Sequence, residues 1–225
     1  MRIYRNFKEA HSEIERDLAE MGIRVHPHSY QDKIIKDDPD FETLELQNYI
    51  YMVTQPDPAD LNPVQPWADA EFEERVSRSP LNPGEAWKLR REVWDDFIQE
   101  NGRFAYTYAE RFAHQLDLFV EEARKNLDSR QLFLSMWDPK TDPYYLGGAA
   151  RVPCTLGYLF QVRGGQLNIT YMMRSCDWVT HFQNDVYLAH RLQRWFASEI
   201  NVPVGSFTHM ITSLHVFQKD VKGVF

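Results

Sequence analysis

The second half of the chain carries the pattern that most restricts its fold. Two apolar runs, 155–162 and 167–173, flank Gly164-Gly165, and a glycine pair between such runs is typical of a tight antiparallel hairpin. A long helical pattern at 186–200 and a further apolar run at 207–217 follow. We therefore expect an α+β domain in which helices pack on a mixed sheet.

The chain before this pattern is expected to contain four helices and two strands. Apolar spacing, with glycine and proline as breaks, predicts one helix that ends at Gly22, one around Phe72, one over 85–99 and one over 111–125. The same reasoning predicts strands at 44–53 and 132–137. Prolines between 56 and 66 mark an extended connection.

Length and composition limit the classes of function. The 225 residues suffice for one domain, 1–225, with a real hydrophobic core. A net charge of −8 disfavours general nucleic-acid binding, which needs clustered cations, although a local basic pocket can still bind one small phosphate. Two cysteines argue against a disulfide framework, and scattered histidines give no metal-site motif. The start of the chain has no apolar segment of the kind that forms the core of a signal peptide, and no apolar run is long enough to span a membrane. We therefore expect a cytoplasmic protein, in the host cytoplasm if it is phage-encoded.

Four short clusters carry the residue types that a reactive site needs. Cys154 follows Pro153, and Arg174-Ser175-Cys176-Asp177 lies one predicted hairpin further on. Arginine offers a planar fork and serine a hydroxyl for a phosphate, and a nearby guanidinium stabilises a thiolate. The other two clusters are Asp128-Ser129-Arg130 and 213–217. A lone cysteine is equally compatible with a small buried core residue.

In this order, the clusters resemble motifs of the thymidylate synthase superfamily. That superfamily shows Asp-Ser-Arg-Arg, Pro-Cys, Arg-Ser-x-Asp and His-x-Tyr. The corresponding segments here are Asp128-Ser129-Arg130-Gln131, Pro153-Cys154, Arg174-Ser175-Cys176-Asp177 and His215-Val216-Phe217. The segment 106–111 also resembles the shorter, archaeal-type members. The resemblance covers roughly 94–217 and is weak before that.

The resemblance implies a three-layer fold around a large mixed sheet, one face of which forms an obligate homodimer. It implies 5,10-methylenetetrahydrofolate as the one-carbon donor. Cys154 would attack carbon 6 of a pyrimidine nucleotide, which makes carbon 5 nucleophilic. Arg174 and Ser175 would hold the 5′-phosphate, and Arg130 would reach over from the partner subunit.

Further roles follow from the same resemblance. Asp177 would help to place the folate and pyrimidine rings, and Tyr106 and His215 would belong to the polar network that handles protons and water. The glutamate that manages active-site water is expected in the helix around residue 72, where Glu74 is preferred over Glu73.

The residue that reads the base differs from the one in thymidylate synthases. Those enzymes carry an asparagine eleven residues after the phosphate arginine, where this chain has Asp185. A carboxylate accepts from the cytosine amino group and, when protonated, donates to the ring nitrogen. The deoxycytidylate hydroxymethylases of T-even phages are similar at this position. The alternative is that Asp185 only caps a helix starting at Val186.

Two features favour different products. Trp94 resembles a tryptophan of thymidylate synthases and would form an aromatic wall that excludes water and favours hydride, hence methylation; it is also suited to plain core packing. Because the chain ends at Phe225, soon after His215, it lacks most of the tail that closes the folate site in the relatives, and a more open site favours water. We expect hydroxymethylation of dCMP. The alternatives are dCMP or dUMP methylation and, more distantly, a non-catalytic nucleotide-binding homologue.

Two departures from the family motifs affect nucleotide binding. Gln131 replaces a second phosphate arginine. Phe217 replaces a tyrosine whose hydroxyl binds the sugar 3′-hydroxyl, so the preference between deoxyribose and ribose stays open.

Overall fold

The structure is a computed structural model that describes residues 1–30, 33–35, 38–148 and 150–221. Its strands, in chain order, are β1 (Arg2–Tyr4), β2 (Ile23–Val25), β3 (Ser29–Tyr30), β4 (Lys33–Ile34), β5 (Thr43–Val53), β6 (Phe133–Ser135), β7 (Thr155–Arg163), β8 (Gln166–Asp177) and β9 (Val204–Phe217). Seven of them form one sheet in the order β1-β5-β9-β8-β7-β6, with β2 also paired to β5. The separate pair β3-β4 is a short hairpin.

The pairing of the sheet is mixed, as expected. The predicted hairpin is present as antiparallel β7-β8, and Gly164 and Gly165 at its turn have φ values of 60° and 76°, a region that favours glycine. Strand β9 runs parallel to β8 and antiparallel to β5. This arrangement places His215 of β9 opposite both Asp177 of β8 and Glu45 of β5.

The helices are α1 (Phe7–Met21), α2 (Trp67–Val76), α3 (Arg91–Trp94), α4 (Tyr108–Ala113), α5 (Leu116–Lys125), α6 (Phe182–Glu199) and α7 (Gln218–Val221). Helices α1 and α6 pack on the sheet, and α2 packs on α6 and α4, so a second helical layer lies further out. The predicted α+β class is confirmed. Among the residues that the structure describes, no helix is long and apolar enough to cross a membrane.

The hydrophobic core lies between the sheet and the helices that cover one of its faces. Alternate residues of the long strands are buried there, and the Tyr171 ring stacks between Tyr158 and His209 at centroid distances of 4.7 and 4.6 Å. Such pairs add to the free energy gained by burying their apolar area. The rigid centre of the sheet therefore holds the strand ends in fixed register.

The single helix predicted over 85–99 is wrong. The segment consists of 3-10 turns at Ala86–Arg90 and Asp95–Phe97 on either side of α3. Arg90 leaves helical geometry with φ −146° and ψ 50°, and its buried guanidinium donates to Thr180 O at 2.9 Å. A tertiary contact of this kind outweighs local helix propensity.

Two other boundaries differ from expectation. The helix predicted over 111–125 is interrupted between α4 and α5, where the Gln115 side chain donates to the carbonyls of Arg111 and Ser135 at 2.7 and 2.8 Å. Helix α6 begins at Phe182, four residues before the predicted start at Val186. The second difference bears directly on the role of Asp185.

Candidate active site

A cavity of about 180 Å³ opens where β8 and β9 end, beside α2 and α6. Most of the residues predicted from the sequence line it: Trp94, Cys154, Arg174, Ser175, Asp177, Asp185, His215 and Phe217. They come from distant parts of the chain, so their convergence follows from the order of the strands. The cavity is mixed in character, because both charged groups and aromatic rings line it.

Cys154 immediately precedes β7, at the edge of the cavity. Its carbonyl accepts a hydrogen bond from Arg174 N at 2.8 Å, which fixes the backbone beside the thiol. Its side chain is half-buried, whereas Cys176 is fully buried. Cys154 therefore has the accessibility that a nucleophile needs.

The Arg174 guanidinium is fixed next to the thiol. Its Nε donates to Pro153 O at 2.9 Å and its Nη2 donates to Val152 O at 3.3 Å. Nη2 also lies 3.8 Å from Cys154 Sγ. The positive charge stabilises a thiolate, and the half-buried Ser175 hydroxyl follows in the same wall.

His215 belongs to a polar group that spans β5 and β9. The Ser213 hydroxyl donates to Glu45 Oε2 at 2.5 Å and lies 3.4 Å from His215 Nδ1. Because that hydroxyl has one proton, its oxygen can only accept from His215, which places the imidazole proton on Nδ1. Burial lowers the pKa of His215, so the ring is neutral near pH 7 and Nε2 is an acceptor.

Asp177 is a rigid, buried carboxylate at the end of β8. Its Oδ1 accepts hydrogen bonds from Val179 N at 3.0 Å and Thr180 N at 3.1 Å, which fix its rotamer. The side chain lines the cavity, and Oδ2 makes none of these hydrogen bonds. This geometry suits a residue that positions a ligand by one oxygen.

Asp185 does not cap a helix, so that alternative is wrong. Residue His181 occupies the N-cap position of α6, and Asp185 lies inside the first turn. Its Oδ2 is 3.8 Å from the Cys176 thiol, which donates to it. Burial raises the pKa of Asp185 to about 7, against the opposing effect of nearby arginines such as Arg75 and Arg151.

An aromatic wall forms part of the cavity lining. The Arg151 guanidinium lies over the Trp94 ring at 4.4 Å and over the Tyr106 ring at 5.2 Å. Trp94 also packs against Trp67, with ring centroids 6.1 Å apart. The wall therefore combines indole faces with a cation held by them.

Three predicted site residues lie outside the main cavity. Glu74 accepts from the backbone N–H groups of Glu85 and Ala86 at 2.6 and 2.9 Å and lines a smaller cavity behind Trp94. Tyr106 is buried and also lines that smaller cavity. Arg130 is exposed, away from both cavities.

Several lining residues had no assignment from the sequence. Arg75 is buried, pairs with Glu71 at 2.8 Å and lies 3.8 Å above the Tyr108 ring. Nothing in their local sequence marks Arg75 or Glu45 as site residues, whereas Arg151 lies only three positions before Cys154. Within the described ranges, no group of three histidine, cysteine, aspartate or glutamate side chains could hold a metal ion.

Comparison with known proteins agrees with this geometry. Residues 85–225 match the profile of the family described as thymidylate synthase. A protein of Methanocaldococcus jannaschii, assigned provisionally as a thymidylate synthase, is 26% identical over 192 residues, which cover 82% of this chain and 83% of that protein. A deoxyuridylate hydroxymethyltransferase of Pseudomonas phage M6 is 28% identical over 135 residues, which cover 58% of this chain but only 37% of the phage protein.

The fold is also similar to that of a known protein. The structure of thermostable thymidylate synthase A from Bacillus subtilis superimposes with a TM-score of 0.74 at 19% identity, covering 97% of this chain and 82% of that one. The family match includes more than half of the chain, and the cysteine, arginine, aspartate and histidine motifs meet in one cavity. The chain therefore belongs to the thymidylate synthase family, whose members transfer a one-carbon unit from 5,10-methylenetetrahydrofolate to carbon 5 of a pyrimidine nucleotide.

Proposed function

We propose that the chain, as one catalytic domain spanning 1–225, converts dCMP to 5-hydroxymethyl-dCMP. The observation that supports the choice of base is Asp185, a carboxyl that lines the nucleotide cavity with a pKa raised to about 7. Support for the choice of product, but not for the choice of base, comes from the phage relative, which is named as a deoxyuridylate hydroxymethyltransferase.

Asp185 suits cytosine because a neutral acid offers both a donor and an acceptor. The Cys176 thiol donates to Oδ2, so the proton of the neutral acid belongs on Oδ1. Oδ1–H can then donate to the ring nitrogen N3 of cytosine while Oδ2 accepts from its amino group. Uracil presents a ring N–H and a carbonyl oxygen there instead.

Covalent catalysis would start at Cys154. Its thiolate adds to carbon 6, forming a C–S bond, and the displaced π electrons move through carbon 5 toward N3 of cytosine. A proton donated by Asp185 at N3 stabilises this charge, so the same residue would serve recognition and catalysis. Arg174 and Ser175 would hold the 5′-phosphate, and His215, with Nε2 as an acceptor, would help to move protons at the base.

The walls of the cavity fit 5,10-methylenetetrahydrofolate as cosubstrate. A pterin is flat and carries N–H donors and a carbonyl acceptor, which suit indole faces and a carboxylate. Trp94 and Trp67 have buried indole N–H groups to which the described residues offer no acceptor. Within the same described part of the chain, the Asp177 hydrogen bonds use only Oδ1, which leaves Oδ2 for a ligand. When bound, the folate supplies the one-carbon unit.

A specific observation favours a second candidate, thymidylate synthesis from dUMP. Trp94 stands in the cavity wall, where a large aromatic side chain limits the access of water and favours hydride transfer. Mass spectrometry of the products from dCMP, dUMP and CMP with methylenetetrahydrofolate separates the candidates. A hydroxymethyl product from dCMP supports the proposal, and thymidylate from dUMP as the main product would refute it. No product from any of them would favour a non-catalytic nucleotide-binding homologue.

The face of the sheet opposite the core supports the proposed homodimer. Ile50, Met210 and Met172 stand side by side on β5, β9 and β8, and each is partly exposed, as is Phe133 on β6. A row of apolar side chains across neighbouring strands suits contact with a second copy of the sheet. The exposed Arg130 would then be available to the partner's nucleotide site.

Mixing two inactive variants tests this arrangement. Arg130→Ala and Cys154→Ala homodimers should each have low activity, while a mixture should recover up to about a quarter of wild-type activity. After random exchange, heterodimers make up about half of the dimers. One of the two sites in each heterodimer has both residues intact. The measurement is turnover after subunit exchange, monitored with differently tagged chains. Complete exchange with no recovery would show that Arg130 does not serve the neighbouring site.

A further inference from the structure

Part of the wall of the main cavity is built from three neighbouring strands. Glu45 of β5 is opposite His215 of β9, and His215 is opposite Asp177 of β8. All three side chains line the cavity, and so does Ser213, which lies two residues before His215 on the same face of β9. The chemistry proposed above gives roles to His215 and Asp177 and leaves Glu45 without one.

Glu45 has a carboxylate oxygen that is available to a ligand. Its Oε2 accepts a hydrogen bond from the Ser213 hydroxyl at 2.5 Å. Within the described part of the chain, the hydrogen bonds of Glu45 use only this oxygen, and the side chain is half-buried in the cavity wall. A carboxylate can only accept hydrogen bonds, so Oε1 requires a donor.

The polar side chains beside Glu45 have no proton left for Oε1. The Ser213 hydroxyl already donates to Oε2, and the His215 Nδ1 proton points to Ser213. The Thr43 hydroxyl donates to a backbone carbonyl of β2 at 3.4 Å. Phe217, at the end of β9, contributes a ring without a hydroxyl, packed edge-on against His215. The donor to Oε1 therefore has to come from the ligand.

A nucleotide carries such a donor in the hydroxyl group of its sugar. With the phosphate at Arg174 and Ser175 and the base at Asp185, the sugar lies between these groups. Ser175 of β8 is opposite Ser213 of β9, and the strand of Glu45 is one further spacing away, about 10 Å from β8 in total. The 5′ and 3′ positions are at opposite ends of a sugar. A sugar that extends from β8 across β9 therefore directs its 3′-hydroxyl toward Glu45.

We propose that Glu45 binds the 3′-hydroxyl of the nucleotide sugar, with Oε1 as the acceptor and Ser213 as a positioning residue that fixes Oε2. This inference rests on the proposed function for the placement of phosphate and base. A hydrogen bond to a carboxylate is stronger than one between neutral groups. A nucleotide without the 3′-hydroxyl leaves Oε1 in the cavity wall without a donor, which is unfavourable. The enzyme should therefore discriminate against it.

The experiment compares dCMP with 2′,3′-dideoxy-CMP, which differs from it only in lacking the 3′-hydroxyl. Calorimetry without folate gives the Kd of both nucleotides for the wild type and for Glu45→Ala. Glu45→Gln keeps the size of the side chain, and remains informative if the alanine variant fails to fold. Glu121→Ala is the matched control, because it removes an exposed carboxylate that pairs with Lys125 on the surface of α5.

We expect the wild type to bind dCMP at least about tenfold more tightly than the dideoxy nucleotide, a tenfold ratio being about 1.4 kcal/mol. The ratio should fall below about threefold in Glu45→Ala, fall less in Glu45→Gln, which keeps an amide at the site, and stay unchanged in Glu121→Ala. If Glu45 only anchors Ser213, both nucleotides bind more weakly and the ratio is unchanged, which would overturn the proposal. A wild type that binds both nucleotides equally would overturn it as well.

The same comparison with dUMP and 2′,3′-dideoxy-UMP separates this proposal from the proposed function. Equilibrium binding of the sugar depends neither on the product nor on which base is preferred. A preference for dUMP would overturn the choice of base and leave the effect of Glu45 on the sugar ratio in place. An unchanged sugar ratio with both pairs of nucleotides would overturn the role of Glu45 alone.

Discussion

Cys154→Ala should abolish turnover while leaving nucleotide binding nearly intact. We expect kcat to fall by at least about a thousandfold, because the reaction depends on covalent addition and no other thiol lines the cavity in a half-buried position. The Kd of the nucleotide should change by less than about tenfold, or about 1.4 kcal/mol. Binding is assigned to Arg174 and Ser175, which hold their positions without the sulfur: the Arg174 guanidinium is anchored by two backbone carbonyls.

Kinetics and binding have to be measured on the same protein sample. Calorimetry with dCMP gives the Kd, and a product assay gives kcat. Cys154→Ser is a useful companion, since a hydroxyl keeps the size of the side chain but is far less nucleophilic than a thiolate. Turnover of the alanine variant within tenfold of wild type would refute the role of Cys154 and revive the non-catalytic alternative.

The parts of the fold that the sequence predicts well are those specified locally. The β7-β8 hairpin is set by Gly164 and Gly165, which adopt positive φ angles at the turn itself. The pairing of β5 with β9 joins residues such as Glu45 and His215 that are far apart in the chain. No local pattern encodes such a partner, so the pairing is visible only in the fold.

Two of the three helix errors have the same physical cause. Long-range side-chain contacts interrupt helices that their apolar spacing predicts to be continuous, as the Arg90 hydrogen bond to Thr180 O and the Gln115 hydrogen bond to Ser135 O show. Neither partner lies within the predicted helix. Local helix propensity only weakly determines the backbone where a buried polar side chain donates a hydrogen bond to an acceptor that is distant in the chain.

Some residues of the candidate site can be predicted from the sequence, and others only from the fold. Its motif residues were identifiable because their types and order carry chemistry, and eight of them line one cavity. Arg75, Arg151 and Glu45 were missed because a charged residue in a helix, a loop or a strand normally lies in solvent. Only the fold shows that Arg75 is buried against Tyr108 and that Glu45 accepts from Ser213.

The base preference should change when Asp185 becomes asparagine. The wild type is expected to prefer dCMP, and Asp185→Asn should shift the ratio of kcat/KM toward dUMP by about ten- to a hundredfold. With its proton on Oδ1, Asp185 would meet uracil with acceptor against acceptor at the 4-oxygen and donor against donor at N3, and a buried mismatch costs about 1–3 kcal/mol. Asparagine keeps the size and supplies an amide donor to that oxygen.

The pH dependence of kcat/KM for dCMP provides a second test of the role of Asp185. Burial raises its pKa from the ordinary carboxyl value to about 7, so the neutral acid is the main form below pH 7 and the carboxylate above it. If the neutral acid donates to N3 of cytosine, kcat/KM for dCMP should fall by about tenfold per pH unit above pH 7. Asp185→Asn has no proton to lose there, so this limb of the profile should disappear.

The matched control is Asp117→Asn, the same chemical change at an exposed residue that pairs with Arg78 on the surface. It should leave both the nucleotide ratio and the pH profile unchanged, which separates the effect of Asp185 from a general effect of lost charge. The measurements are kcat/KM for dCMP and dUMP, with all three proteins, between pH 5 and 9.

A wild type that prefers dUMP, or a ratio that Asp185→Asn does not move, would mean that Asp185 does not read the base. Asp185 is fixed inside α6 and away from its cap, so its carboxyl would then need a different partner in the cavity, and the enzyme would be assigned instead as a thymidylate synthase acting on dUMP.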